Sequence, residues 1–407
     1  MSEAPDNVPG GALTGGEQAH VWDAVARGVL PLVPHLLARV PLRLAFRLVH
    51  VAVWNDDPHM VAALLDLLPP AFALGRRFGC EWFVCVAARH GTCHAALPLL
   101  RVKAWAHRPP PPPRQSAASV TRERRSFNAL LEQAGVLDPS DDPFYPCDFG
   151  EPLGHAAWHG NVSFVALLLS AKAELHPYHC VGCPALYDAA TRGYVHVVSL
   201  LVEAKADVNG RNGPTYETSL ANAARNGHVH TVALLLNAKG NINVSDDAEV
   251  TPLHNAANNG HTSVVSLLIC AKADVAESPD GKPAPLSYAA GGGYARIVAA
   301  LLRAKASATT TGRQGRTPLC FAARSGHPRT VSLLLKAARN VDAGDIHGNR
   351  PLHIAAMRGN HTAVELLIGA KADFAAVSGR GFTPLQYARE ARSALTVQVL
   401  VDAKASV

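Results

Sequence analysis

The stretch "TPLHNAANNGHTSVVSLL", residues 251–268, carries a leucine, a pair of alanines and a glycine at fixed distances. Ala256 and Ala257 stand three and four residues after Leu253, and Gly260 stands seven residues after it. This spacing predicts one apolar face of a short helix, on which the alanines let a neighbouring helix come close. Glycine ends such a helix because it adopts left-handed dihedral angles without a steric penalty. The apolar run that follows predicts a second, antiparallel helix.

The same pattern recurs at steps of 33 or 34 residues. The leucines that mark it are Leu153, Leu186, Leu220, Leu253, Leu286, Leu319, Leu352 and Leu385. One helix pair of this size cannot bury its own apolar face, whereas stacked neighbours share a continuous core. The period therefore predicts an all-α solenoid of stacked antiparallel helix pairs.

The repeated unit resembles the ankyrin repeat family. The resemblance rests on "TPLHNAANNGHTSVVSLL" at 251–268, "DIHGNRPLHIAAMRGNHTAVELL" at 345–367 and "GRTPLCFAARSGHPRTVSLLL" at 315–335. It implies an ankyrin-repeat solenoid with β-hairpin-like loops between its helix pairs. We expect eight clear repeats over residues 147–407.

Weaker copies of the pattern precede this array. Ala87-Ala88, Gly91 and Lys103 follow Val84 at the offsets of the clear repeats. A further copy at 48–68 has Asn55 in the glycine position.

These copies complete the predicted domain order. We expect a disordered tail over 1–19 and degenerate ankyrin-like repeats over 20–107. A proline-rich basic linker with a disrupted repeat is expected over 108–146.

Bulk properties restrict the class of protein. The 407 residues are 48% hydrophobic and 17% charged, with a net charge of +6. This basic excess is smaller than a dedicated nucleic-acid binder shows. The N-terminus lacks the pattern of a signal peptide, and arginines and prolines interrupt the most apolar stretch, 29–53, so we expect no membrane span.

Cysteine usage bears on the compartment. The eight cysteines are scattered and form no disulfide framework, which favours a reducing interior. We therefore expect a cytoplasmic monomer, with the nucleus as the alternative compartment.

Four metal-ligating side chains stand close together in "HPYHCVGC". They are His176, His179, Cys180 and Cys183. The spacing suits a zinc site, but the repeat frame puts these residues in an ordinary turn between repeats. We favour the turn and keep the metal site as the alternative.

Other histidines fit the repeat frame, as His254 and His353 do in the fourth position of the "TPLH" pattern. In the family such a histidine makes structural hydrogen bonds. No paired nucleophile and base and no phosphate loop stands in the sequence. We therefore expect neither enzymatic activity nor a cofactor.

The linker contains "RPPPPPR" at 108–114, where Pro109, Pro112 and Arg114 match a Pro-x-x-Pro-x-Arg arrangement. Such a segment forms a polyproline II helix, which SH3-type grooves accept. We favour a stiff spacer and keep a ligand for a proline-reading module as the alternative.

A lysine follows most second helices nineteen residues after the marker leucine. We call this set the lysine ladder: Lys103, Lys172, Lys205, Lys239, Lys272, Lys305, Lys371 and Lys404. In the family this position usually holds glycine. The lysine must adopt a left-handed conformation or extend the helix, and its charge suits the helix C-terminus. Helix ends explain the ladder better than a docking stripe for a polyanion does.

The resemblance also implies a binding face. It carries over to the two positions before each first-helix glycine. From these we select as candidate partner-binding residues Trp158, His159, Arg192, Arg225, Asn226, Asn258, Asn259, Arg324, Met357 and Arg358. We expect a non-catalytic scaffold or adaptor that binds a polar or acidic protein partner along a concave face. The alternative is a polyanion, such as nucleic acid, on the basic linker and the lysine ladder.

Overall fold

The computed structural model describes the part of the chain that holds most of these patterns. The described residues are 16–19, 21, 42–67, 87–88, 91–101, 152–173, 175, 184–212, 216–276, 283–312 and 314–405. The proline-rich linker and the His176–Cys183 cluster lie outside them.

The described chain is mostly helical, with one short pair of strands, as the fold prediction requires. Before the strands, the described residues contain the helices α1 (Leu42–Trp54), α2 (Pro58–Leu67), α3 (Cys93–Arg101), α4 (Pro152–Trp158), α5 (Val162–Ser170), α6 (Pro184–Arg192) and α7 (Val195–Glu203). The strands β1 (Arg211–Asn212) and β2 (Glu217–Thr218) pair antiparallel. The remaining helices are α8 (Ser219–Arg225), α9 (Val229–Asn237), α10 (Pro252–Asn258), α11 (Thr262–Cys270), α12 (Pro285–Gly291), α13 (Ala295–Arg303), α14 (Pro318–Ser325), α15 (Pro328–Ala337), α16 (Pro351–Met357), α17 (His361–Gly369), α18 (Pro384–Glu390) and α19 (Ala394–Ala405).

These helices belong to two compact units. The first contains α1 to α5 and the second contains α8 to α19, while α6 and α7 are divided between them. In the second unit the first helix of each repeat packs on the first helix of the next, and the second helices do the same. We call these rows the inner helices, α8 to α18 with even numbers, and the outer helices, α9 to α19 with odd numbers.

The core of the second unit lies between the two rows. Ala256, Ala257 and Leu253 of α10 are fully buried, as are Val265 and Leu268 of α11. The predicted alanine face thus meets the apolar face of the outer helix. The other repeats of this unit repeat this arrangement with their own leucines and alanines.

In the first unit, the weaker copies form the same turn. Gly91 adopts a φ of +75°, and the side chain of Asn161 lies against it and donates a hydrogen bond to the carbonyl of Ala88. Asn360 makes the equivalent contacts with Gly326 and the carbonyl of Ala323 in the second unit. The copy at Gly91 is therefore a direct neighbour of the repeat that contains Asn161.

The turn of the copy at 48–68 is one residue away from the predicted position. Asp56, not Asn55, adopts the positive φ, at 52°. Its carboxylate accepts hydrogen bonds from the amide of Ala95 and from the ring of His94. Ala52 and Val53 are the buried pair before this turn. Val49, three residues before Ala52, therefore takes the position of the marker leucine in this copy.

The histidines of the "TPLH" position make structural hydrogen bonds, as predicted. Nδ1 of His353 accepts from the amide of Arg350, and Nε2 donates to the carbonyl of Ala376. Burial lowers the pKa of His353, which keeps the ring neutral for both bonds. His254 likewise accepts from the amide of Thr251 and caps its helix.

Six lysines of the ladder adopt the left-handed conformation, with φ between 58° and 66°. They are Lys172, Lys205, Lys239, Lys272, Lys305 and Lys371. Lys404 instead lies inside α19, and Lys103 lies outside the described residues. Each left-handed lysine donates its amide to the carbonyl three residues back, and the next amide reaches five residues back, as in a Schellman motif.

Position 338, where the ladder has alanine in place of lysine, shows that the motif requires a small residue after the left-handed one. In four repeats the residue after the lysine is a buried alanine: Ala206, Ala273, Ala306 and Ala372. Where the ladder lacks its lysine, Ala338 is followed by the exposed Arg339. A guanidinium does not fit the buried position, and Ala338 leaves the helix in an extended conformation, with φ −74° and ψ 129°.

Replacing Lys272 with glycine should raise the free energy of unfolding by about 0.5–1 kcal/mol. Glycine removes a left-handed strain of roughly 1–2 kcal/mol, while the lost cation at the helix end costs about 0.3–1 kcal/mol. Lys404→Gly is the control and should destabilise, because Lys404 is helical. Urea denaturation measures both changes, and two changes of the same sign would contradict this account.

Candidate functional site

The ten predicted partner residues lie at the ends of first helices. Trp158 and His159 belong to the first unit and the other eight to the second. Arg225, Asn258 and Met357 are the last residues of α8, α10 and α16. Positive side chains suit these C-terminal ends because the helix dipole is negative there.

Their exposure differs from residue to residue. Those that are exposed are His159, Arg192, Asn226, Asn258, Asn259, Arg324, Met357 and Arg358. Trp158 and Arg225 are only partly exposed. In the second unit, the inner helices pack in succession and place their exposed end residues in a row, at interaxial spacings of roughly 8–10 Å. No position of this row from Arg192 to Arg358 holds an acid.

Arg225 is tied to a buried carboxylate. Its guanidinium pairs with Glu217, whose side chain is only 2% exposed, and its Nε donates to the side chain of Asn255. Glu217 belongs to β2, which forms where one repeat is 34 residues long. Arg225 thus holds an inner helix to its strand, a role that the sequence pattern does not reveal.

The asparagines of the row bond back to their own helices. Nδ2 of Asn226 donates to the carbonyl of Asn222, and Nδ2 of Asn259 donates to the carbonyl of Asn255, each at 3.0 Å. These bonds satisfy free carbonyls at the helix ends. Because Nδ2 of each side chain points to its own helix, the Oδ1 atoms of Asn226 and Asn259 point away from these hydrogen bonds.

The middle of the row contains a gap that the sequence reading missed. Gly291 stands where Arg324 and Met357 stand in the next repeats, and a Cβ added to it would meet only Phe321, at 3.7 Å. Tyr288, one helical turn before Gly291, and Phe321 are both half-buried. We call this gap, with Tyr288, Gly291 and Phe321, the glycine notch.

The phenol of Tyr288 borders on a polar region. Burial raises the pKa of Tyr288, and the nearby charge of Asp246 raises it further. Its ring stands edge-on to that of His254, with centroids 6.0 Å apart. The notch thus has the ring of Phe321 beside the missing side chain, and the protonated Tyr288 lies one helical turn away. Aromatic residues two positions after the marker leucine were the sequence signal for it.

The metal hypothesis is not tested by the structure. His176, His179, Cys180 and Cys183 all lie outside the described residues. Within the described ranges no three His, Cys, Asp or Glu side chains are grouped as metal ligands. The same holds for the proline-reading hypothesis, because Pro109, Pro112 and Arg114 are outside the described residues too. Among the described helices none is long and apolar enough to span a bilayer.

The fold defines a class of protein, the α-helical repeat solenoid. Comparisons with known proteins make this specific. A profile described as "Ankyrin repeats (3 copies)" matches residues 210–279, 277–345 and 338–407, and one described as "Ankyrin repeat" matches 181–213. The chain belongs to the ankyrin repeat family.

A solved structure supports the same fold. The crystal structure of the human ASB11 ankyrin repeat domain matches with a TM-score of 0.50 and 26% sequence identity. The match covers 54% of this chain and 96% of that domain. No curated protein sequence matches the chain.

Arg225→Ala should destabilise the second unit by about 1–3 kcal/mol, because it leaves the buried Glu217 carboxylate without its cation. Arg324→Ala is the matched control: Arg324 has the same repeat position but is exposed, so its loss should change stability by less than about 0.5 kcal/mol. Thermal unfolding compares the two. Adding Glu217→Gln to Arg225→Ala should recover part of the loss; equal effects of the two arginines would refute the structural role.

Proposed function

We propose that this chain is a non-catalytic scaffold or adaptor that binds a protein partner along the inner helix ends. Ankyrin repeats generally mediate protein–protein interactions, and the family fold is typically not catalytic. The observation that carries the proposal is the row of exposed helix-end side chains without a single acid between Arg192 and Arg358.

The chemistry of the row supports a partner with acidic groups. Arg324 and Arg358 stand on neighbouring inner helices, are exposed, and form no ion pair with another described residue. Met357, at 39% exposure, adds apolar surface beside them. Arginine and aromatic side chains are the residue types that most often anchor interfaces. The partner would supply acidic side chains for the arginines.

The glycine notch would receive an apolar side chain of the same partner. Phe321 offers aromatic surface beside it, the half-buried Tyr288 lies one helical turn away, and the missing side chain of Gly291 leaves room. An anchor in a recess surrounded by polar groups is the usual arrangement of an interface hot spot. Trp158 and His159 remain proposed partner residues of the first unit.

Arg225 is a poor position for a charge-reversal test of the proposed face. Arg225 is held by Glu217, so reversing its charge would disturb the fold as well as the surface. Arg324 and Arg358 are therefore the better positions for charge reversal.

Capture of partners from a nuclease-treated lysate tests the proposal. Arg324→Glu combined with Arg358→Glu should lose the partner that the unaltered chain retains. With the purified partner, affinity should fall at least about 30-fold, which corresponds to roughly 2 kcal/mol for hot-spot residues. Arg339→Glu with Lys404→Glu makes the same charge change at exposed residues outside the row and should leave this partner bound.

The variant Gly291→Leu tests the glycine notch independently of the arginines. It fills the notch, and since the Cβ has room and Gly291 is helical, the protein should remain folded. Loss of the partner by this variant supports the notch. Unchanged capture by both inner-face variants would refute the proposal. Material that the chain captures from an untreated lysate but not from the nuclease-treated one would favour the nucleic-acid alternative.

A further inference from the structure

Two neighbouring outer helices carry basic residues at matching positions. Arg296 and Arg303 lie on α13, and Arg329 and Lys336 lie on α15, seven residues apart within each helix and 33 residues apart between them. Seven residues make almost two helical turns, or about 10.5 Å, and packed helices lie roughly 8–10 Å apart. The four side chains therefore mark the corners of a square with sides of about 10 Å. We call them the basic quartet.

The fold does not require this quartet. All four side chains are exposed, and none forms an ion pair with another described residue. The same two positions hold Ser263 and Cys270 on α11 and Thr362 and Gly369 on α17. Four like charges at such distances repel one another, since the spacing is close to the Debye length of about 8–10 Å.

A shallow apolar groove of about 480 Å³ lies beside the quartet. Its lining residues are Ala295, Pro328, Arg329, Ser332, Leu333 and Leu366. The helices α13, α15 and α17 that form it carry one acid, the exposed Glu365 on α17. The floor is apolar, and one member of the quartet, Arg329, stands at its edge.

We propose that this outer groove binds an acidic protein segment, with its carboxylates on the basic quartet and an apolar side chain in the recess. Charge complementarity selects the acidic segment. A recess does not suit a flat lipid surface, which is contacted by protruding apolar side chains. A nucleic acid would match the charges but not the apolar floor.

This second surface belongs to different helices from the inner row. The quartet and the groove lie on outer helices, whereas Arg324 and Arg358 lie at the ends of inner helices. The two surfaces can therefore hold two segments at once, and the outer groove does not depend on the inner face having a partner.

The test uses the full chain and a displayed library of random 16-residue peptides. The quartet variant carries Arg296→Gln, Arg303→Gln, Arg329→Gln and Lys336→Gln. A matched control carries His230→Glu, Asn237→Glu, Ser263→Glu and Cys270→Glu, which are exposed and hold the same positions on α9 and α11. Both variants lower the net charge by four, and circular dichroism checks that both remain folded.

Selection on the unaltered chain should yield peptides that also bind the control variant. The same peptides should bind the quartet variant at least about tenfold more weakly, because four exposed ion pairs act together. These peptides should be rich in aspartate and glutamate around an apolar residue. Replacing that residue with serine should weaken binding at least several-fold, since it leaves the recess unfilled.

Three outcomes would overturn the proposal. The first is the absence of any peptide that depends on the quartet. The second is unchanged affinity after the serine replacement, which would mean that charge alone acts. The third is quartet-dependent binding to phosphatidylserine vesicles or to a 20-nucleotide single-stranded DNA in place of peptides.

Discussion

The stack of repeats depends on a contact between a glycine and one side chain of the following repeat. Gly227 and Gly260 both have a φ of +79°, which turns the chain at the end of an inner helix. The ring of His261 lies on Gly227, and the ring of Tyr294 lies on Gly260. His261 also donates from Nε2 to the carbonyl of Arg225 at 2.8 Å. The glycine therefore both turns the chain and forms the junction with the next repeat. A side chain of that next repeat also satisfies a free carbonyl at the helix end.

This constraint explains why the sequence predicted the fold so closely. The leucine, the alanine pair and the glycine each perform one role that few residue types can perform, so the period is visible without a structure. The lysine ladder is less constrained, because its position accepts a left-handed lysine, a helical Lys404 or an extended Ala338. Asp56 was missed for a related reason, since an aspartate can also take the left-handed turn.

The proposed binding face was predictable in position but not in character. The repeat frame located the exposed ends of the inner helices, including Arg324 and Arg358. It did not reveal the ion pair of Arg225 with the buried Glu217, because that pair depends on a strand formed by one longer repeat. The notch was missed because Tyr288 and Phe321 gain their importance from the absent side chain of Gly291. Both relations depend on what one repeat adds to the common pattern, a longer loop before α8 or a missing side chain at Gly291.

The most direct test of this account compares two glycine-to-alanine substitutions by equilibrium denaturation. Gly260 and Gly381 have nearly the same φ, +79° and +80°, but a Cβ on Gly260 would lie 2.5 Å from the ring of Tyr294, whereas one on Gly381 meets nothing within 4 Å. Gly381→Ala should lose only the left-handed penalty of roughly 1–2 kcal/mol. Gly260→Ala should lose clearly more, because it also separates two repeats. Equal losses would contradict the claim that this contact holds the stack together.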